Sequence, residues 1–99
     1  MIEVEKSETR CLFRWTEPAL DATNCQTLKD RVKAEAEPEK ALVINLAALE
    51  FVDSSGIGAL ISAQKLRGPD HDKVILEGVG KPVLEVLEML HLQNVFAFA

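Results

Sequence analysis

The chain opens with a strict alternation of apolar and charged positions, Ile2-Glu-Val-Glu-Lys6. A period of two predicts a strand with one charged face, half-exposed or at a sheet edge, where charge discourages edge-to-edge pairing. Cys11 to Thr16 is rich in strand formers, and the polar stretch Ser7 to Arg10 predicts a turn folding the two strands antiparallel, although no Asn-Gly marks a tight hairpin. Pro18 to Asn24 reads as a loop, with Thr23 or Asn24 suited to cap the next helix. Cys25, Leu28 and Val32 then fall on one helical face, and the pattern fades in Glu35-Ala-Glu-Pro-Glu39, where Pro38 forbids continuation. The acidic run itself reads as a solvated helix end.

Ala41 to Leu46 is a continuous apolar run, the pattern of a central parallel strand covered on both faces. Ile57, Leu60, Ile61 and Gln64, closed by Leu66, predict a second helix, and Gly68-Pro-Asp70 breaks it. Lys73 to Leu76 predicts a short strand and residues 78–82 a loop, with Pro82 at the first helical position. Val83, Val86, Leu87 and Leu90 give the clearest helical face in the chain, and Asn94 to Phe98 predicts a last strand. The order ββαβαβαβ defines an α/β fold with a mixed, mostly parallel sheet whose first strand is antiparallel. Residues 1–99 are expected to form one domain, long enough to bury roughly two-thirds of the unfolded surface.

Composition narrows the functions. With 47% hydrophobic and 27% charged residues the chain is expected to fold rather than stay disordered. A net charge of −5 argues against gripping nucleic acid or an acidic lipid surface, both of which need clustered positive charge. No basic segment followed by an apolar one marks the N-terminus, and no run approaches the roughly 20 apolar residues of a membrane span, so a cytoplasmic location without membrane insertion is expected. Cys11 and Cys25 read as reduced, partly buried thiols, since two isolated cysteines make no disulfide framework.

The informative segment is Asp53-Ser-Ser-Gly-Ile-Gly58, set between a buried strand and an amphipathic helix. Ligands and partners of open α/β sheets meet the carboxyl ends of strands, where this loop falls. The same residues also suit a purely structural role, Asp and Ser as N-caps and Gly for a tight turn. A serine hydrolase lacks its parts: there is no G-x-S-x-G elbow, and the two histidines, His71 and His91, lie in a polar loop and at a helix end. Gly78-Val-Gly-Lys81 is no P-loop, because Ile75 stands where the first glycine belongs and Pro82 replaces the Ser/Thr. Asp70-His-Asp72 reads as a solvated turn, and Trp15 as packing. No catalytic residue, metal site or cofactor is therefore expected.

The stretch from Val43 to Leu60, with its apolar strand, short connector, Phe51-Val52 pair and Asp53-Ser-Ser-Gly-Ile-Gly58, resembles the core of the STAS domain, the anti-sigma factor antagonist family. The match is specific over residues 42–61 and a matter of patterning elsewhere. The resemblance implies the fold order just derived and a non-enzymatic, partner-switching function. It implies an anti-sigma factor that is also a serine kinase as partner, and a serine phosphatase that reverses the modification. Unphosphorylated antagonist then holds the anti-sigma factor and frees the sigma factor. It assigns the phosphorylated residue to Ser55, with Ser54 as the alternative, and the partner surface to Asp21, Asp53, Ser54, Ser55, Gly56 and Ile57. Ser54 is expected to cap or hydrogen-bond. Many members carry G-x-L/I-D before the first helix; Glu17-Pro-Ala-Leu-Asp21 keeps Leu20 and Asp21 without the glycine. The family offers a second role, as an accessory subunit of an ABC-type lipid transporter, which needs no serine at that place.

Overall fold

The computed structural model describes residues 2–99. Its elements run β1 (Ile2–Lys6), β2 (Arg10–Trp15), β3 (Ala19–Leu20), α1 (Cys25–Glu35), β4 (Ala41–Asn45), β5 (Phe51–Val52), α2 (Ser54–Arg67), β6 (Ile75–Glu77), α3 (Lys81–Met89) and β7 (Ala97–Phe98). Five strands form the main sheet in the order β1-β2-β4-β6-β7. β1 is antiparallel to β2 and the other pairs are parallel, so the mixed, mostly parallel sheet expected from the pattern is the sheet found. The first turn is closed by Ser7, whose amide donates to the Arg10 carbonyl at 2.9 Å while its hydroxyl accepts from the Arg10 amide at 3.1 Å.

Period-two patterning decides which way β2 faces. Cys11, Phe13 and Trp15 are buried, and Leu12 and Arg14 between them are half-exposed. The buried row joins Leu42 and Ile44 of β4, Leu76 of β6 and the inward side chains of all three helices, Leu28, Val32, Leu60, Val83 and Leu87 among them, in one cluster. Fully burying an aliphatic or aromatic side chain of this size contributes about 1.5–3 kcal/mol. The indole of Trp15 donates to the Ala19 carbonyl at 3.1 Å, so its one polar atom is satisfied inside the core.

The expectation that β4 is a central parallel strand covered on both faces is met: it lies in the middle of the sheet, and Leu42, Val43 and Ile44 are all buried. Val43 is buried but lies outside the helix-facing cluster, in register with Leu12 and Ile75. This second face is laced by side chains: Arg14 pairs with Glu3 and Glu5, Arg10 with Glu77 at 3.1 Å, and the Asn45 amide donates to Glu77 at 2.8 Å. Leu12 and Ile75, the register neighbours of Val43, share that face with these side chains.

Other boundaries move for local reasons. The 18–24 loop contains β3, which pairs in parallel with β5 as a separate two-stranded ribbon. α2 starts at Ser54, three residues before its first apolar position. β6 begins at Ile75 because the Val74 amide donates to the Gln64 side chain at 2.8 Å instead of to the ladder. α3 begins at Lys81, with Pro82 inside the first turn, and the last strand shrinks to Ala97–Phe98. Leu66 does not close the core; it is 50% exposed.

Candidate functional site

The β3–β5 ribbon brings two distant loops together. Ala19 pairs with Phe51 and Leu20 with Val52, and the Asp53 amide donates to the Leu20 carbonyl at 3.3 Å. Asp53 then caps α2. Its backbone is extended, one carboxylate oxygen accepts from the Gly56 amide at 2.9 Å, and its carbonyl accepts from the Ile57 amide at 2.9 Å. Its second carboxylate oxygen reaches across the ribbon to the Ala22 amide at 3.3 Å. One side chain thus satisfies an orphan N–H of the helix and clips the 21–24 loop to it. The cap is Asp53 and not Ser54, correcting the expectation for Ser54.

Gly56 explains why the ribbon can sit so close. A Cβ there would lie 2.2 Å from the Leu20 carbonyl oxygen and 2.6 Å from a Val52 methyl. The requirement is close approach and not a left-handed turn, since Gly56 is absent from the positive-φ glycines, Gly68 and Gly78. Gly58 has nothing within 4 Å of the corresponding point.

Asp21 lies on the clipped loop. One of its carboxylate oxygens accepts from the Thr23 amide at 2.9 Å and the Thr23 hydroxyl at 2.6 Å, and its carbonyl accepts from the Cys25 amide at 2.8 Å. These bonds, the Thr23 hydroxyl first, hold the Asp21 carboxyl below the usual carboxylate range. Asn24 precedes α1 but makes no side-chain cap; its amide oxygen accepts from the Asp21 amide at 2.9 Å and its nitrogen donates to the Ala19 carbonyl at 3.0 Å. Thr23 serves Asp21, so neither candidate cap acts as one.

The structure therefore gathers Asp21, Asp53, Ser54, Ser55 and Gly56 at one end of the molecule. Ser54 is exposed and Ser55 half-buried, and neither hydroxyl makes a hydrogen bond among the described residues. Ile57 does not join the surface: at 5% exposure its side chain belongs to the core. Ala22 and Thr23 are both exposed beside this cluster; the sequence marks Thr23 only as a candidate cap and does not mark Ala22. The signal for a place in the site is, for both, their position beside Asp21. Among the described residues no group of three or more His, Cys, Asp or Glu is placed to hold a metal ion, and no helix is long and apolar enough to cross a membrane.

An α/β sheet in chain order, a glycine-dependent crossing of two loops and an Asp-Ser-Ser-Gly helix start define one class of small α/β domain. A family model for the STAS domain matches residues 1–99, and the chain belongs to that family. Solved structures share the fold. An anti-sigma-factor antagonist (STAS) domain protein from Planctomyces limnophilus superposes with a TM-score of 0.81 at 23% identity, over 99% of this chain and 87% of that one. The Bacillus cell fate determinant SpoIIAA in its phosphorylated form gives 0.73 at 17% identity, over 100% and 91%. A variant of RsbS from Moorella thermoacetica gives 0.74 at 24% identity, over 99% and 85%.

Proposed function

We propose that residues 1–99 act as one phosphorylation-controlled binding domain, an anti-sigma factor antagonist of the cytoplasm that works by docking and not by catalysis. Its partner is an anti-sigma factor with serine kinase activity, and a serine phosphatase resets it. Ser55 is the phosphate acceptor, and Asp21, Asp53 and Ser54 flank it on the docking surface. The observation that carries this reading is the placement of Ser55 in the first turn of α2, beside a loop that Asp53 clips to the same turn. That a SpoIIAA structure is of a phosphorylated form supports it as a relative's property.

The switch is electrostatic. A phosphate on Ser55 adds about −1.5 to −2 charge. The first turn of a helix tolerates an anion, since its free N–H groups and the macrodipole favour negative charge. The domain keeps its fold, and the cost falls on the partner. An anionic partner group about 4 Å away is repelled by on the order of 4 kcal/mol at an effective dielectric near 20. That is roughly a thousandfold in affinity.

The test is incubation with the host's anti-sigma factor kinases and ATP, read by mass spectrometry. One phosphate on Ser55, absent in Ser55→Ala and retained in Ser54→Ala, is expected. Phosphate on Ser54 alone, or on no residue of this loop with any such kinase, overturns the assignment.

A further inference from the structure

α1 and α2 pack side by side but leave a furrow between them. Its first half, about 250 Å³, has Val32, Ala59 and Ala63 among its lining and Lys29 on its α1 wall. Its second half, about 240 Å³, continues over Ala36, Pro38 and Leu42. Lys33 and Leu66 line both halves and join them into one groove. The α1 wall runs from Gln26 to Lys33, about 10 Å at 1.5 Å per residue, or two helical turns, and the groove continues beyond the helix end past Ala36, Glu37 and Pro38. Leu66, at 50% exposure, is a large apolar side chain facing this groove without cover.

The charges of the groove run against those of the chain. Lys29 and Lys33 form no ion pair or hydrogen bond among the described residues. Of the two acidic side chains at the groove, Glu37 pairs with Lys6 and Lys40, each at 3.3 Å, while Asp30 accepts from the neutral Gln26 amide at 2.9 Å and keeps its charge, so Lys29, Lys33 and Arg67 outnumber the uncompensated carboxylates. Arg67 donates to the Lys40 carbonyl at 2.7 Å and adds a further positive charge at the far end. A cationic, apolar-floored groove thus sits on a protein of net charge −5.

We infer that the α1–α2 groove is a docking site for an acidic amphipathic helix of a partner protein, its apolar face on Ala36, Pro38 and Leu66 and its carboxylates on Lys29 and Lys33. The length and concavity fit a helix laid in a groove, with anchors every third or fourth residue. Opposite charges on the rim set orientation and speed the encounter. A lipid surface fits less well, because the apolar floor is recessed and the whole molecule is repelled by anionic membranes. A second copy fits less well too, since a two-fold pairing of this patch sets Lys29 and Lys33 against the same cations of the other copy.

The probe is a synthetic helical peptide of about 18 residues with leucines on one face flanked by glutamates, titrated into the full chain and followed by amide chemical shifts. Shifts confined to residues 26–37 and 59–67 are expected. Binding should weaken roughly tenfold or more in Lys29→Glu/Lys33→Glu and at high salt. A scrambled peptide should leave the spectrum unchanged. Leu66→Gln, an exposed position that alters no charge, should also weaken binding, and it keeps the test open if the double variant fails to fold. Absence of shifts, shifts outside the groove, or equal binding of a peptide with lysines in place of glutamates overturns the inference. So does co-sedimentation of the protein with phosphatidylglycerol vesicles through Lys29 and Lys33, which assigns the groove to a lipid surface. Self-association that disappears in the double variant also overturns it, by assigning the groove to a second copy.

Discussion

Two glycines two positions apart in α2 do opposite things. At Gly56 any side chain meets the Leu20 carbonyl oxygen, a backbone atom fixed by the β3–β5 ribbon, so the clash cannot be relieved by a rotamer change. Gly56→Ala is expected to destabilise by about 1–3 kcal/mol, the range of core overpacking, seen as a lower denaturant midpoint. Gly58 faces open space inside a helix, and Gly58→Ala should raise stability by about 0.5–1 kcal/mol. Equal effects at the two positions would count against the close-approach account. Asp53→Ala removes both the cap and the clip. It should cost about 1 kcal/mol, a fall in Tm of about 4–8 °C for a chain of this size. Ser55→Glu, by contrast, should leave Tm nearly unchanged while partner affinity drops in a pull-down or titration. A large loss of stability in Ser55→Glu would assign that serine to the fold and not to the switch.

The elements that were legible in the sequence are those with a sustained pattern. β1 lies where alternation places it, β2 and β4 where runs of strand-forming or apolar residues do, and the three helices where an apolar stripe does. The illegible parts depend on contacts between distant residues. β3 and β5 are two residues each, too short to show any period, and exist because Ala19–Leu20 and Phe51–Val52 meet. The caps were misplaced for a related reason. Asn24 and Ser54 have the right chemistry for capping, but Asn24 is taken by Asp21 and Ala19, and Asp53 sits one residue earlier with both oxygens in reach of amides. The motif Asp-Ser-Ser-Gly was readable as a site, and Ile57 was readable as the first position of the apolar stripe of α2; it is the resemblance that placed it on the partner surface, and the core claims it instead. At this scale Trp15→Phe is the informative variant. It keeps most of the buried area but loses the bond to Ala19, and should cost about 1 kcal/mol, checked by urea unfolding.

For the molecule as a whole, three carboxyls are held below their ordinary values. Asp21 is held there by the Thr23 hydroxyl, Glu37 by Lys6 and then Lys40, and Glu77 by the Asn45 amide and then Arg10. A lowered folded pKa stabilises fully above the ordinary value, 3.8 for Asp and 4.5 for Glu, and that stabilisation is lost as pH falls through the folded value. Tm should therefore decline between about pH 5 and pH 3, and Glu77→Gln should flatten that slope. An unchanged slope in Glu77→Gln would show that its ties to Asn45 and Arg10 do not survive in solution. The sheet has one more property. Its spatial order, β1-β2-β4-β6-β7, repeats the order of the chain, and each pairing joins residues no more than about a third of the chain apart. No strand has to wait for a later one to be threaded between its neighbours. A nascent chain leaving the ribosome can lay the sheet down from one edge to the other, each new strand meeting a finished template.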